Sequence, residues 1–148
     1  MESQKYDILL ADDDPDDCMF FQHVLDELRI KASVHMVNNG VELMTFLESQ
    51  SSHLPGVLFL DLNMPCKSGL ECLSEIKENQ KLKQLPVIIC STSSNPEVMD
   101  ILYDKGAHYY IRKPSAFAEL KSVIKKALLF MEQNKLPHPL KENFVIHP

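Results

Sequence analysis

Asp12-Asp13-Asp14, Asp61, Ser91-Thr92 and Arg112-Lys113-Pro114 are the residues of this chain whose types and order can do chemistry. Each group follows directly on a short apolar run. Carboxylates forced together repel, and a hard cation with oxygen ligands relieves that repulsion. Mg²⁺ suits such a site, because it takes one or two carboxylates, keeps several waters and leaves room for phosphate oxygens. The separate carboxylate, Asp61, can then act as a nucleophile that accepts a phosphoryl group. Transfer of that group depends mostly on positioning and on stabilising the charge of its equatorial oxygens. Lys113 opposite the cation and the Ser91 hydroxyl as a hydrogen-bond donor would supply that stabilisation. Singly, each residue has a plainer reading: Asp14 as a helix cap, Lys113 as a surface lysine, Ser91 and Asp61 as turn residues. Their joint occurrence, each at a strand end and in this order, favours the chemical reading.

For these groups to meet, the elements that carry them must end on one edge. Tyr6–Ala11, Gly56–Leu60, Pro86–Cys90 and His108–Ile111 are short apolar runs between polar turns, the pattern of strands buried on both faces of a parallel sheet. Ser33–Val37 is a weaker, alternating strand. Asp14-Pro15 opens the first helix with an N-cap and a first-position proline, ahead of a stripe of Phe20, Phe21, Val24, Leu25 and Leu28. Asn39–Glu42 and Ser68–Glu71 read as capping boxes, followed by Leu43, Met44, Phe46 and Leu47 in one helix and by Leu70, Leu73 and Ile76 in the next. Asn95-Pro96 starts a helix that runs to Asp104 and is closed by Gly106. A last helix, from Ser115 to about Met131, carries Phe117, Leu120, Ile124, Ala127 and Met131 on one side. Five βα units without an internal repeat predict one doubly wound α/β domain. In such a domain functional groups gather beyond the carboxyl ends of the strands, at a switch point.

The composition agrees. A chain of 148 residues is one domain's worth, and 45% apolar with 24% charged residues is ordinary for a globular protein. The net charge of −6 argues against a nucleic-acid partner, which would need clustered Lys and Arg. Lys121, Lys125 and Lys126 read as a solvated helix face. No apolar run approaches the roughly 20 residues of a membrane span. Met1–Lys5 is polar and leads into a strand, with no secretory signal. Cys18, Cys66, Cys72 and Cys90 form no C-x-x-C pair, which predicts a reduced, cytoplasmic protein without a structural metal. The tail from Glu132 is short for an output domain. Its Phe144, Val145 and Ile146 are apolar enough to join a contact.

The stretches ILLADDDPDD at 8–17, LFLDLNMPCKSG at 58–69, PVIICSTSS at 86–94 and GAHYYIRKPS at 106–115 resemble those of bacterial response-regulator receiver domains. The resemblance covers about residues 6–131 and implies a flavodoxin-like (βα)₅ fold, with a five-stranded parallel sheet in the order 2-1-3-4-5. Residues 1–131 would be the receiver and 132–148 a tail with no output domain. It further implies that Asp61 is the phosphoacceptor, that Asp13 binds Mg²⁺ directly and Asp12 through water, and that Asn63 lends the metal its backbone carbonyl. Ser91 and Tyr110 stand at the positions of the switch residues, Lys113 at that of the family's lysine, and a cis bond is expected before Pro114. Partners would be a sensor histidine kinase or a histidine phosphotransfer protein. Output would pass through the surface of the fourth helix, fifth strand and fifth helix, to a partner or a second copy. The wording LDLNMP is similar to that of single-domain regulators paired with phytochromes or hybrid histidine kinases, although that subgroup tends to have Asn where this chain has Asp14.

A rival reading is a haloacid-dehalogenase-like phosphatase, whose D-x-D signature Asp12 and Asp14 satisfy literally. It leaves the acid at the third strand, Asp61, without a role. A flavodoxin would need a hydroxyl-rich first loop, where this chain is acidic. A receiver that binds partners without being phosphorylated would not need the full acid, hydroxyl and lysine set.

Overall fold

The computed structural model describes residues 6–50, 53–133 and 139–148. The apolar runs form β1 (Tyr6–Ala11), β2 (Ala32–Val37), β3 (Val57–Asp61), β4 (Val87–Ser91) and β5 (Tyr109–Arg112). Between and after them come α1 (Pro15–Glu27), α2 (Gly40–Ser49), α3 (Gly69–Glu78), α4 (Pro96–Asp104) and α5 (Phe117–Gln133). All strand pairs are parallel, so every carboxyl end lies on the same edge. β3 is buried along its whole length, as a central strand covered by helices on both faces must be.

Among the described residues the sheet has six strands, not the expected five. A short β6 (Val145–Ile146) pairs in parallel with β5, giving the order 2-1-3-4-5-6. The outer edge of β5 would otherwise present unpaired backbone groups. The tail satisfies one of them through a bond from the Tyr110 N–H to the Phe144 carbonyl (2.9 Å) and buries Phe144 and Ile146. Two residues are too few for an alternation pattern, which is why the tail did not read as a strand. The third, fourth and fifth strands each end one residue later than expected. Their parallel registers, Asp61 opposite Cys90 and Ser91 opposite Arg112, extend the ladder through the reactive positions.

Two apolar layers cover the sheet. Leu9, Leu58, Leu60 and Tyr110 face the layer of α2, α3 and α4, while Ile8, Phe59, Tyr109 and Ile111 face α1 and α5. The buried stripe of α1 is Cys18, Phe21, Val24 and Leu25, and Phe20 is 41% exposed. Neighbouring helical residues point about 100° apart. Phe21 therefore takes the inward place, where its ring meets that of Phe59 (5.0 Å), and Phe20 turns out against Phe117. Leu70 likewise faces outward, and Cys72 fills the core beside Leu73 and Ile76.

The caps follow the sequence closely. Asp14 accepts from the Asp16 N–H (2.9 Å), Asn95 from the Glu97 N–H (2.9 Å), and Ser68 with Glu71 forms a complete capping box. The Asn39 side chain accepts from the Glu42 N–H, but the Glu42 carboxylate returns to the N–H of Asn38, one residue before the expected position. Gly106 closes α4 at φ 100°, a conformation that disfavours any side chain. Cys18, Cys66, Cys72 and Cys90 are all free thiols. No helix among the described residues is long and apolar enough to cross a membrane.

Candidate functional site

Among the described residues the buried polar side chains are Asp12, Asp61 and Ser91, and all three lie at the carboxyl edge of the sheet. Asp12 follows β1 directly, while Asp61 and Ser91 are the last residues of β3 and β4. The loop after β3 is drawn in close by Gly69: a Cβ there would lie 2.3 Å from the Asp61 carbonyl oxygen. Only glycine lets α3 begin so near the strand end.

Carboxylate oxygens of Asp12, Asp13 and Asp61 lie within 4.8 Å of one another, with Asp13 exposed and the other two buried. Lys113 enters from the end of β5. Its ammonium is 3.0 Å from Asp12, 2.9 Å from Asp17 and 3.5 Å from Asp61. The Lys113 N–H donates to the Ser91 carbonyl (2.7 Å), which registers the two loops. Burial pushes the Asp61 carboxyl up to about 6; Lys113 opposes that shift and the Asp12 charge adds to it. Burial also raises Asp12. Burial works against the charge on Lys113, but its bonds to Asp17 and Asp12 outweigh this and hold the ammonium above its ordinary value. Three oxygen donors with surplus negative charge and one exposed side fit a hard divalent cation, and among the described residues no sulfur or imidazole donor joins them.

Asp12, Asp13, Asp61 and Lys113 therefore come together as their positions in the sequence suggested. Asn63 sits two residues after Asp61 and donates its N–H to the carboxylate at a long 3.4 Å. The Ser91 hydroxyl accepts from the Ser93 N–H (3.1 Å). Tyr110 is fully buried, its hydroxyl donating to the Ser93 carbonyl (2.7 Å).

The cis bond expected before Pro114 is not present, and every peptide bond among the described residues is trans. Trans is the intrinsically favoured isomer of an X-Pro bond, and Lys113 reaches its carboxylate partners with the bond in that form. Asp17 was missed as a partner of Lys113. It lies in the first turn of α1, three residues beyond the Asp14 cap, and that position on an acidic first turn beside the strand ends was the available signal. The phosphatase reading finds no support, since the Asp14 carboxylate is spent on the Asp16 N–H as the cap of α1.

The response regulator receiver domain family matches residues 8–125. Response regulator Rcp1 of Synechocystis sp. is 33% identical over 121 residues, which cover 79% of this chain and 82% of Rcp1. The crystal structure of the phosphorylated cyanobacterial phytochrome response regulator RcpA is similar with a TM-score of 0.81 at 30% identity, over 90% of this chain and 98% of that one. The Mn²⁺-bound form of Rcp1 gives 0.76 at 29% identity, over 91% and 99%. An acidic cluster facing one lysine at the carboxyl edge of a parallel sheet, and a family match across most of the length, lead to one conclusion: this chain belongs to the response regulator receiver domain family.

Proposed function

We propose that Asp61 accepts a phosphoryl group from the phosphohistidine of a sensor histidine kinase or a histidine phosphotransfer protein, with Mg²⁺ as cofactor. A carboxylate oxygen of Asp61 would bond to phosphorus as the phosphorus–nitrogen bond breaks, and the leaving imidazole takes up a proton. Asp13 and Asp61 would hold the cation directly, Asp12 through water, and Asn63 by its backbone carbonyl. Mg²⁺ supplies charge neutralisation for the phosphoryl oxygens. Lys113 changes partner, from the carboxylates to a phosphoryl oxygen. Ser91 donates its hydroxyl to another. The observation that carries this reading is the placement of Asp61: buried, beside Asp12 and Asp13, and 3.5 Å from Lys113.

Self-phosphorylation from small acyl phosphates would use the same groups. RcpA is a phytochrome response regulator, and on that likeness the donor here is a histidine kinase of the phytochrome or hybrid kind. Phe20 on α1 is exposed and lines a pocket with Asp12, Asp17 and Lys113, which offers such a donor an apolar landing surface. Residues 1–131 act as the receiver, and output passes through the surface of α4, β5 and α5. The four free thiols agree with the reducing cytoplasm as its location.

Mass spectrometry after incubation with acetyl phosphate and Mg²⁺ tests the proposal. Wild type should gain one phosphoryl group and Asp61→Asn none; a label that persists in Asp61→Asn refutes it.

A further inference from the structure

Nothing in the phosphoryl chemistry calls for the C-terminal segment, yet that segment is built into the face expected to carry the output. Phe144 is buried, its ring 5.2 Å from that of Tyr103 on α4 and 6.1 Å from that of Tyr110 on β5. Tyr103 donates its hydroxyl to the Pro139 carbonyl (2.7 Å), and Lys141 pairs with Asp100 of α4 (3.1 Å). On the other side Lys126 of α5 donates to the His147 carbonyl (2.9 Å). The segment 139–148 thus touches α4, β5 and α5 together.

It is also connected to the phosphoacceptor. The Ser91 hydroxyl accepts from the Ser93 N–H, the Ser93 carbonyl accepts from the Tyr110 hydroxyl, and Tyr110 holds Phe144 by ring packing and by its backbone N–H. We infer that segment 139–148 is an intramolecular cover over the α4-β5-α5 face, and that phosphorylation of Asp61 releases it. The trigger rests on the Asp61 reading above; the cover does not.

The phosphoryl group brings three strong acceptor oxygens to the site. Ser91 is drawn toward them and away from the Ser93 N–H, so the turn that aims the Ser93 carbonyl at Tyr110 relaxes. A fully buried hydroxyl that loses its acceptor is disfavoured, and the ring must shift to find another. The contacts of Phe144 converge on that ring and on its backbone. β6 has only two residues, so its docking is among the weaker local equilibria of the fold and responds to a modest push. Once bare, the edge of β5 beside Tyr103 fits an extended partner segment with an aromatic residue followed by β-branched ones, added parallel to β5 as Phe144-Val145-Ile146 now is. By linkage, loosening the cover should in turn favour the phosphorylated state.

Hydrogen–deuterium exchange on the full chain, with and without acetyl phosphate and Mg²⁺, tests this, with the intact mass of each sample reporting phosphorylation. The Tyr110 amide and segment 139–148 should exchange about tenfold faster once the phosphoryl group is present. Phe144→Ala should exchange fast already without it, and Ile146→Pro, which removes an edge-strand N–H, serves as the second variant. Tyr110→Phe keeps the ring and loses the hydroxyl link, so its tail should not respond. Unchanged or slower exchange in protein shown by mass to be phosphorylated overturns the release. Protection that survives both Phe144→Ala and Ile146→Pro overturns the cover. Protection that falls on dilution would assign the segment to a second copy and overturn the intramolecular contact. No added mass would instead sink the Asp61 reading and the trigger with it, while the two tail variants still decide the cover.

Discussion

Without a bound cation, ionised Asp61 should weaken the fold, and Asp61→Asn should strengthen it at neutral pH. Burial moves this carboxyl from an ordinary 3.8 to about 6. Between those values the folded chain keeps a proton that the unfolded chain has released. The folded state therefore binds more protons, and stability falls as pH rises through this window. At 1.36 kcal/mol per unit, the full effect above pH 6 is about 3 kcal/mol. Asp61 is only 6% exposed, so solvent does little to reduce it. Asp12 is raised by burial as well and acts in the same direction. The assay is thermal unfolding in a chelator across pH 4 to 8. Asn matches Asp in shape and can still accept from the Asn63 N–H. The variant and wild type should match near pH 4, and the variant should lead by about 3 kcal/mol at pH 7.5, on the order of 6–12 °C for a domain of this size. Mg²⁺ at pH 7.5 should then stabilise wild type and narrow the gap. A gap that does not change with pH, or a wild type that is the more stable protein in chelator at pH 7.5, would refute the reasoning.

Other substitutions separate the remaining roles. Asp13→Asn should weaken divalent-cation binding well beyond Asp14→Asn, since Asn at position 14 still caps α1; equal losses in a calorimetric titration would mean that Asp14 also holds the ion. Lys113→Ala leaves Asp12, Asp17 and Asp61 without their shared cation and should destabilise the metal-free protein by about 3 kcal/mol, measured by urea unfolding, while Mg²⁺ still binds. Gly69→Ala puts a Cβ against the Asp61 carbonyl oxygen and the Leu62 Cα. It should cost about 1–3 kcal/mol in the same assay and slow phosphorylation by displacing the β3–α3 loop.

The sequence by itself determined the parallel α/β domain, because two-sided apolar strands and capped amphipathic helices are local patterns that each element states for itself. It also determined the convergence of Asp12, Asp13, Asp61 and Lys113, since a parallel sheet leaves no other edge for residues that close its strands. Boundaries were legible only to within about two residues, the last helix running Phe117–Gln133 and not Ser115 to Met131. Whether β3 stops at Leu60 or at Asp61 depends on the neighbouring ladder, not on the strand's own composition. Three things were decided by tertiary contacts alone. Asp17 became a partner of Lys113 through a meeting of residues 96 positions apart, which no local pattern encodes. Tyr110 was fixed inward by a hydroxyl bond to a loop carbonyl on another strand's connection. The tail became a sixth strand because the open edge of β5 needed a partner and Phe144 found room between Tyr103 and Tyr110, a fit of shape and unpaired backbone groups that exists only once the other five strands are assembled.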